Sequence, residues 1–351
     1  KSINNKYAER CDITVSNPLN HPDIPDIIRD SQSDYDEIVK AIPDLYRLGY
    51  DISDSSLPVT LMEGGFTLVL LNVLREILTD VAPDLIITTY PIYPAPLNVA
   101  FQQEDLDIPL ISVVTDLVTV HHVWFNSGVT RLTVPTDEVR QRALDAGISP
   151  DQIISTGIPV DPQILALKQV DKEQVRLDLG WQKEHTSVLV AASPRVTALS
   201  DILQSLDKTD YDFQWALVAG GSDSLYEQFQ NTDWAHPAAV YNFIDFMPKV
   251  MRASDMKLSK AGGLITTESL ASGLPLMFVH VLPGQERGNV GYVVERGAGE
   301  LCETPEEAIK TFSNWLNEDN AKLHEVARNA EEIGQPEAAN LIAEEAWRLI
   351  N

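Results

Sequence analysis

Short apolar runs rich in β-branched residues alternate with helical stretches through both halves of the chain, and no other feature limits the fold as much. That rhythm marks βαβ units that build a parallel sheet. In the first half the predicted strands are Asp12–Val15, Asp84–Thr88, Pro109–Val114 and Arg131–Val134, with a Leu- and Val-rich helix over Thr67–Thr79 before the second. In the second half they are Ser187–Ala191, Gln214–Val218, Ala239–Asn242, Met256–Ser259 and Leu276–Val279, with helices between. Thr156-Gly157-Ile158-Pro159-Val160-Asp161-Pro162 breaks the pattern, because its prolines and glycine disfavour both a continuing helix and a central strand. The expected class is α/β, with two doubly wound, Rossmann-like domains. Residues 1–160 form the first, 161–333 the second, and 334–351 a covering helix with Leu341, Ile342, Ala346 and Leu349 on one face.

A doubly wound domain opens with a strand and a tight loop before its first helix. Here Lys1–Glu9 reads as the polar end of a helix, so a strand upstream is expected and the first domain is incomplete at its start.

The 351 residues carry 26 Lys plus Arg against 52 Asp plus Glu, a formal net charge of −26. Such a surface repels phosphate backbones and excludes nucleic-acid binding through a basic face. It reads as a device for solubility or as adaptation to high salt. Cys11 and Cys302 form neither a disulfide framework nor a zinc ligand set, which points to a reducing, cytoplasmic compartment. No charged-then-apolar signal opens the chain. The longest apolar stretch, Phe66–Leu74, is broken by Asn72 and falls short of the ~20 residues of a membrane span. The protein is expected to be soluble, or peripheral at the inner face of a membrane.

Chemistry concentrates in Lys260-Ala261-Gly262-Gly263-Leu264-Ile265-Thr266-Thr267-Glu268, which follows a short strand and runs into a helix. Paired glycines let backbone N–H groups approach a phosphate, and the positive end of the helix dipole favours the anion. Glu268, one turn in, could accept hydrogen bonds from vicinal ribose hydroxyls; a tight turn followed by a solvated glutamate is the plainer alternative. A second loop, Pro283-Gly284-Gln285-Glu286-Arg287-Gly288-Asn289, also follows a strand, and ligands of open α/β sheets bind at the carboxyl ends of strands. Gln285 and Glu286 offer an amide and a carboxylate able to read sugar hydroxyls.

With Gly273-Leu274-Pro275, Asn289 and Gly297-Ala298-Gly299, these motifs resemble the donor half of glycosyltransferases of the two-domain GT-B fold, which has a cleft between its domains. Thr115-Asp116, Thr119, His121 and Trp124-Phe125 resemble a segment of the monogalactosyldiacylglycerol synthases and the related processive diacylglycerol glucosyltransferases. Pro135–Val139 and Gly157–Val160 continue that resemblance in order. It implies an inverting, metal-independent transfer of a hexose from a UDP-sugar to a lipid hydroxyl, with diacylglycerol the acceptor and no cofactor beyond the donor itself. By position, Gly262 and Gly263 would face the diphosphate, Glu268 the ribose, and Gln285, Glu286 and Asn289 the sugar and nearby phosphate, with Thr267 also in the donor site. Phe243 and Ile244 would cradle the uracil, or else form a core strand end.

The chain departs from the family in two places. The loop Ala191-Ala192-Ser193-Pro194-Arg195 lacks paired glycines, which leaves Ser193 and Arg195 as weaker phosphate candidates. The family's Gly-Gly-Gly-His loop, whose histidine is the usual acceptor base, does not occur in these residues, in keeping with the expected upstream strand. Among the residues present, Asp116 and His121 are the base candidates, because each follows a strand at its carboxyl end. Both could instead orient or cap, and Trp124 and Phe125 read as packing or an acceptor-facing apolar surface. The net charge favours a soluble or polyprenyl acceptor as the competing enzyme reading. A nucleotide-sugar-binding module without turnover is the non-enzymatic one.

Overall fold

The computed structural model describes residues 1–7, 10–29, 56–194, 196, 198–282, 285–317 and 319–351. The chain divides into two compact units, one of residues 1–159 with 337–351 and the other of 160–336.

In the first unit, four strands among the described residues, β1 (Ile86–Thr88), β2 (Leu110–Val113), β3 (Arg131–Val134) and β4 (Ile153–Ser155), form a parallel sheet in that order. Alternate residues of β2 and β3 serve different faces. Leu110, Leu132 and Val134 join the cluster built on the helices Ser56–Val81 and Pro94–Glu104, while Ile111 and Val113 pack on Ile342 and Ala346 of the helix Ala338–Leu349. That last helix belongs to the first unit. Glu345 accepts from Arg131 of β3 at 2.7 Å and from Arg348 at 2.6 Å. Arg348 first, then Arg131, holds the Glu345 carboxyl below its ordinary range against the effect of burial. Tyr7 stacks on Trp347 with ring centroids 4.5 Å apart. Leu341, expected on the packed face, is 41% exposed instead.

Asp12–Val15 is not a strand. Residues 11–17 join no ladder among the described residues, and Val15 is 92% exposed. Alternation supplies a face, but a strand exists only where a neighbour offers its hydrogen bonds.

The second unit holds a six-stranded parallel sheet ordered β10-β9-β8-β5-β6-β7. These strands are β5 (Thr186–Ala191), β6 (Phe213–Val218), β7 (Ala238–Tyr241), β8 (Met256–Lys260), β9 (Leu276–His280) and β10 (Gly299–Leu301). Strand order reverses between β5 and β8, which pair Val188 with Met256. That reversal is the switch point at which doubly wound sheets bind ligands. Helices cover both faces, so the strands are apolar on both sides: Val188, Val190 and Leu258 join one cluster, Leu189, Ala216 and Val218 the other. Local chemistry starts the helices. Thr304 and Glu307 form a reciprocal capping box with Pro305 at the first position, and Asp161 caps the helix Pro162–Leu167 by accepting from Gln163 N–H at 3.0 Å.

Candidate functional site

Because every strand of the second sheet runs the same way, the loops after β5, β6, β7, β8 and β9 all leave from one edge. Ser193 follows β5, Phe243 and Ile244 follow β7, Gly262 and Gly263 follow β8, and Glu286 follows β9. Arg195 and Gly284 lie outside the described residues, as does the side chain of Gln285.

The β8 loop passes directly into the helix Gly263–Ala271, with Gly262 as its N-cap and no side chain capping it. Thr266 N–H, at 2.9 Å from Gly262 O, closes the first turn. The earlier N–H groups have no intrahelical partner, as at any helix start. Gly262 has φ −65°, which any residue adopts, and a Cβ there would meet Lys260 and Glu286 no closer than 3.5 Å. The fold itself therefore does not demand glycine at this position.

Beneath the helix start, Lys260 Nζ lies 3.2 Å from Glu286 Oε1, with both side chains largely buried. The other oxygen of Glu286 accepts from Leu282 N–H at 2.9 Å. Asn289, also buried, donates through Nδ2 to Ala261 O at 2.9 Å and braces the β8 loop from the helix Gln285–Glu295. Thr267 Oγ1 donates to Gly263 O at 2.9 Å. Glu268 differs from all of these. Its carboxylate takes part in no hydrogen bond or ion pair among the described residues, and burial raises its pKa, opposed by Lys257 and reinforced by Asp161. A partly buried acceptor left open in this way suits hydroxyl donors from a ligand.

Phe243 is 76% exposed, whereas Ile244 packs with Tyr241 and Phe246 in the core. The expected pair thus separates into one surface ring and one packing residue. Sequence reasoning missed three contributors. Lys260 becomes significant only through Glu286, 26 residues away. Lys257, in the middle of β8, is 1% exposed. Gly220 and Gly221, after β6, take left-handed φ values of 64° and 86°, and a Cβ on Gly220 would sit 3.3 Å from Ala192 O in the β5 loop. The run Ala219-Gly220-Gly221-Ser222 directly after a strand was the signal available for that last pair.

In the first unit, Asp116 Oδ2 accepts from the indole N–H of Trp124 at 2.8 Å, and Trp124 and Phe125 both pack in the core cluster. His121 is buried, and its Nδ1 accepts from Val123 N–H at 3.1 Å, capping the short helix His122–Trp124. A neutral imidazole that accepts through Nδ1 carries its proton on Nε2.

Residues 1–160 match the family model for monogalactosyldiacylglycerol (MGDG) synthase, and residues 195–345 match that for the glycosyltransferase family 28 C-terminal domain. A probable chloroplastic monogalactosyldiacylglycerol synthase 2 of Oryza sativa subsp. indica is 34% identical over 277 residues, which are 76% of this chain and 59% of the rice protein. The chain thus spans well under two thirds of the length of that relative. Two solved structures share the fold at low identity. A MurG of Acinetobacter baumannii aligns with TM-score 0.59 and 16% identity over 80% of this chain and 78% of its own. A UDP-GlcNAc 2-epimerase of Neisseria meningitidis, bound to UDP-GlcNAc, aligns with TM-score 0.59 and 19% identity over 84% and 83%.

Proposed function

We propose, from the premise that this chain belongs among the monogalactosyldiacylglycerol synthase-like proteins of GT-B fold, that it transfers a hexose from a UDP-sugar to a lipid hydroxyl. Diacylglycerol is the acceptor and the anomeric carbon is inverted. The observation that carries the donor half of this reading is the uncapped start of the helix Gly263–Ala271 at the carboxyl edge of a switch-point sheet, with Lys260 beneath it and the open carboxylate of Glu268 one turn in.

In the reaction the acceptor oxygen attacks C1 of the sugar as the bond from C1 to the diphosphate breaks. The diphosphate gains negative charge, which the free N–H groups of the helix and the Lys260 ammonium stabilise. Glu286 holds that ammonium in place, so its part is to position Lys260 as much as to read the sugar. Glu268 receives the ribose hydroxyls. Asp116 and His121 are the two candidate bases for the acceptor hydroxyl, a carboxylate and an imidazole being the groups able to take its proton at neutral pH.

Lys260 and the helix start supply the positive charge from the chain itself, so turnover should survive EDTA. Activity lost to chelation and restored by Mg²⁺ or Mn²⁺ would refute this. Gly262→Ala should leave stability within ~1 kcal/mol of the parent, since the lost chain entropy of the unfolded state offsets a poorer N-cap. It should weaken UDP-sugar binding ~10-fold, or ~1.4 kcal/mol, because the added methyl occupies the path of the diphosphate. Equal affinity by calorimetry would remove Gly262 from the site. The reaction is tested by incubating the protein with UDP-galactose or UDP-glucose and dispersed diacylglycerol, with products identified by mass. A hexosyl-diacylglycerol is expected; donor left intact with every lipid acceptor tried would overturn the reading.

A further inference from the structure

Lys257 is a lysine in an apolar core. On β8 it stands between Met256 and Leu258, which face one cluster, so it points to the opposite face of the sheet, that of Leu189, its partner in the ladder. It is 1% exposed, and the nearest polar atom recorded for its ammonium is Met251 Sδ at 4.0 Å. An amine so placed loses its hydration and receives no oxygen acceptor among the described residues in return, an arrangement a fold does not retain without some electrostatic return. Among the described residues, the acidic group that acts on it is Glu268, on the helix laid against β8.

We propose that Lys257 is the positioning residue of the nucleotide site, the sealed countercharge that keeps Glu268 ionised beneath the ribose. The inference rests on the donor-site reading above and adds to it the group on which Glu268 depends.

A carboxylate accepts two hydroxyl hydrogen bonds, whereas a protonated carboxyl must spend one oxygen as a donor. Glu268 is under pressure to protonate, first from its burial and also from the negative charge of Asp161 at the N-cap of Pro162–Leu167. Lys257 opposes both. Several charged groups on the surrounding elements are committed elsewhere. Glu331 of the helix Ala321–Ile333 pairs with Lys168 at 3.0 Å, and Glu286 pairs with Lys260. On Met247–Ala253, Lys249 pairs with Asp178 at 3.7 Å and Arg252 donates to Val170 O at 2.7 Å. Burial lowers the Lys257 pKa to about 8, with Glu268 opposing, so the ammonium is present through the neutral range and fades only above it. There Glu268 no longer needs help, because bulk pH alone keeps it ionised.

The test is UDP-galactose affinity against pH by calorimetry; its diphosphate is a diester with no proton that titrates near neutrality. In the parent protein the affinity should be nearly flat from pH 6 to 9. In Lys257→Met, which fills the same apolar space, Glu268 becomes neutral at low pH. The variant should bind ~10-fold more weakly than the parent at the acid end of the range, and the gap should close as pH rises. Lys257→Met that follows the parent across this range overturns the proposal. Glu268→Gln separates the two layers: if it too binds like the parent, the donor-site reading itself has failed; if it alone weakens, only the role of Lys257 has. A measurement that needs no folded Lys257 variant is the carboxyl ¹³C shift of Glu268 in the parent, assigned by its loss in Glu268→Gln. It should report an ionised group at pH 7, and a protonated one would equally overturn the proposal.

Discussion

Lys260→Ala is expected to slow hexose transfer by ~10²–10³-fold, the scale for removing one fixed electrostatic partner of a developing anion. Two effects act in the same direction. The leaving diphosphate loses the ammonium nearest the helix start, and Glu286, largely buried and hydrogen-bonded to Leu282 N–H, is left without its countercharge. Unpaired, that buried carboxylate costs stability and repels the incoming donor. The double variant Lys260→Ala with Glu286→Gln relieves the second effect only. It should therefore recover donor affinity and thermal stability while remaining slow. Turnover equal to the parent in Lys260→Ala would remove the lysine from the mechanism; full recovery of rate in the double variant would show that the loss came from the stranded carboxylate alone.

Asp255→Ala should destabilise the second unit by ~3 kcal/mol, near the low end for breaking a buried ion pair because the carboxylate keeps some exposure. In a unit of this size that lowers Tm by ~6–12 °C. Asp255 gathers Arg176, Lys172 at 2.9 Å and Ser187 N–H at 2.8 Å at the amino end of β5. Arg176 is buried and also donates to Ala253 O and Lys183 O, both at 2.8 Å, so it cannot swing out to water when its partner is gone. Asp255→Asn, which keeps an acceptor oxygen but not the charge, should fall between the two. Differential scanning calorimetry decides the matter, and an unchanged melting temperature in Asp255→Ala would make the cluster an ornament of the surface. Nucleotide affinity of the folded variant should be preserved, since this network lies at the opposite ends of the strands from the ligand loops.

Five of the six strands of the second sheet were legible to within a residue at either end, because buried parallel strands leave a plain local record. Val188–Ala191 and Trp215–Val218 are apolar on consecutive positions, and their shortness and β-branched content mark strands covered on both faces. The β8 loop was legible for a similar reason, since Gly262-Gly263 between a strand and a helix is a local pattern with a local cause.

What escaped was everything decided by a partner distant in sequence. β4 and β10 are three residues each, too short for any period, and exist because β3 and β9 offer them an edge. Gly299 permits the second of these pairings, as a Cβ there would come within 2.3 Å of Leu276 O. Asp12–Val15 has the alternation but no such neighbour among the described residues, and forms no strand.

The site divides along the same line. Which loops carry glycine, carboxylate and amide was written in the order of the residues, so sequence alone determined the chemistry on offer and, through the alternation of strands and helices, the edge from which it is presented. Which charge answers which was decided only in three dimensions. The register of β8 beside β9 brings Lys260 to Glu286, the side of β8 facing the Leu189 cluster seals Lys257 near Glu268, and a cap on a short helix fixes the tautomer of His121. The reason is physical: propensity and period act over a few neighbouring residues, whereas a Coulomb interaction or a desolvation cost depends on what lies within a few ångströms, and folding alone chooses those neighbours.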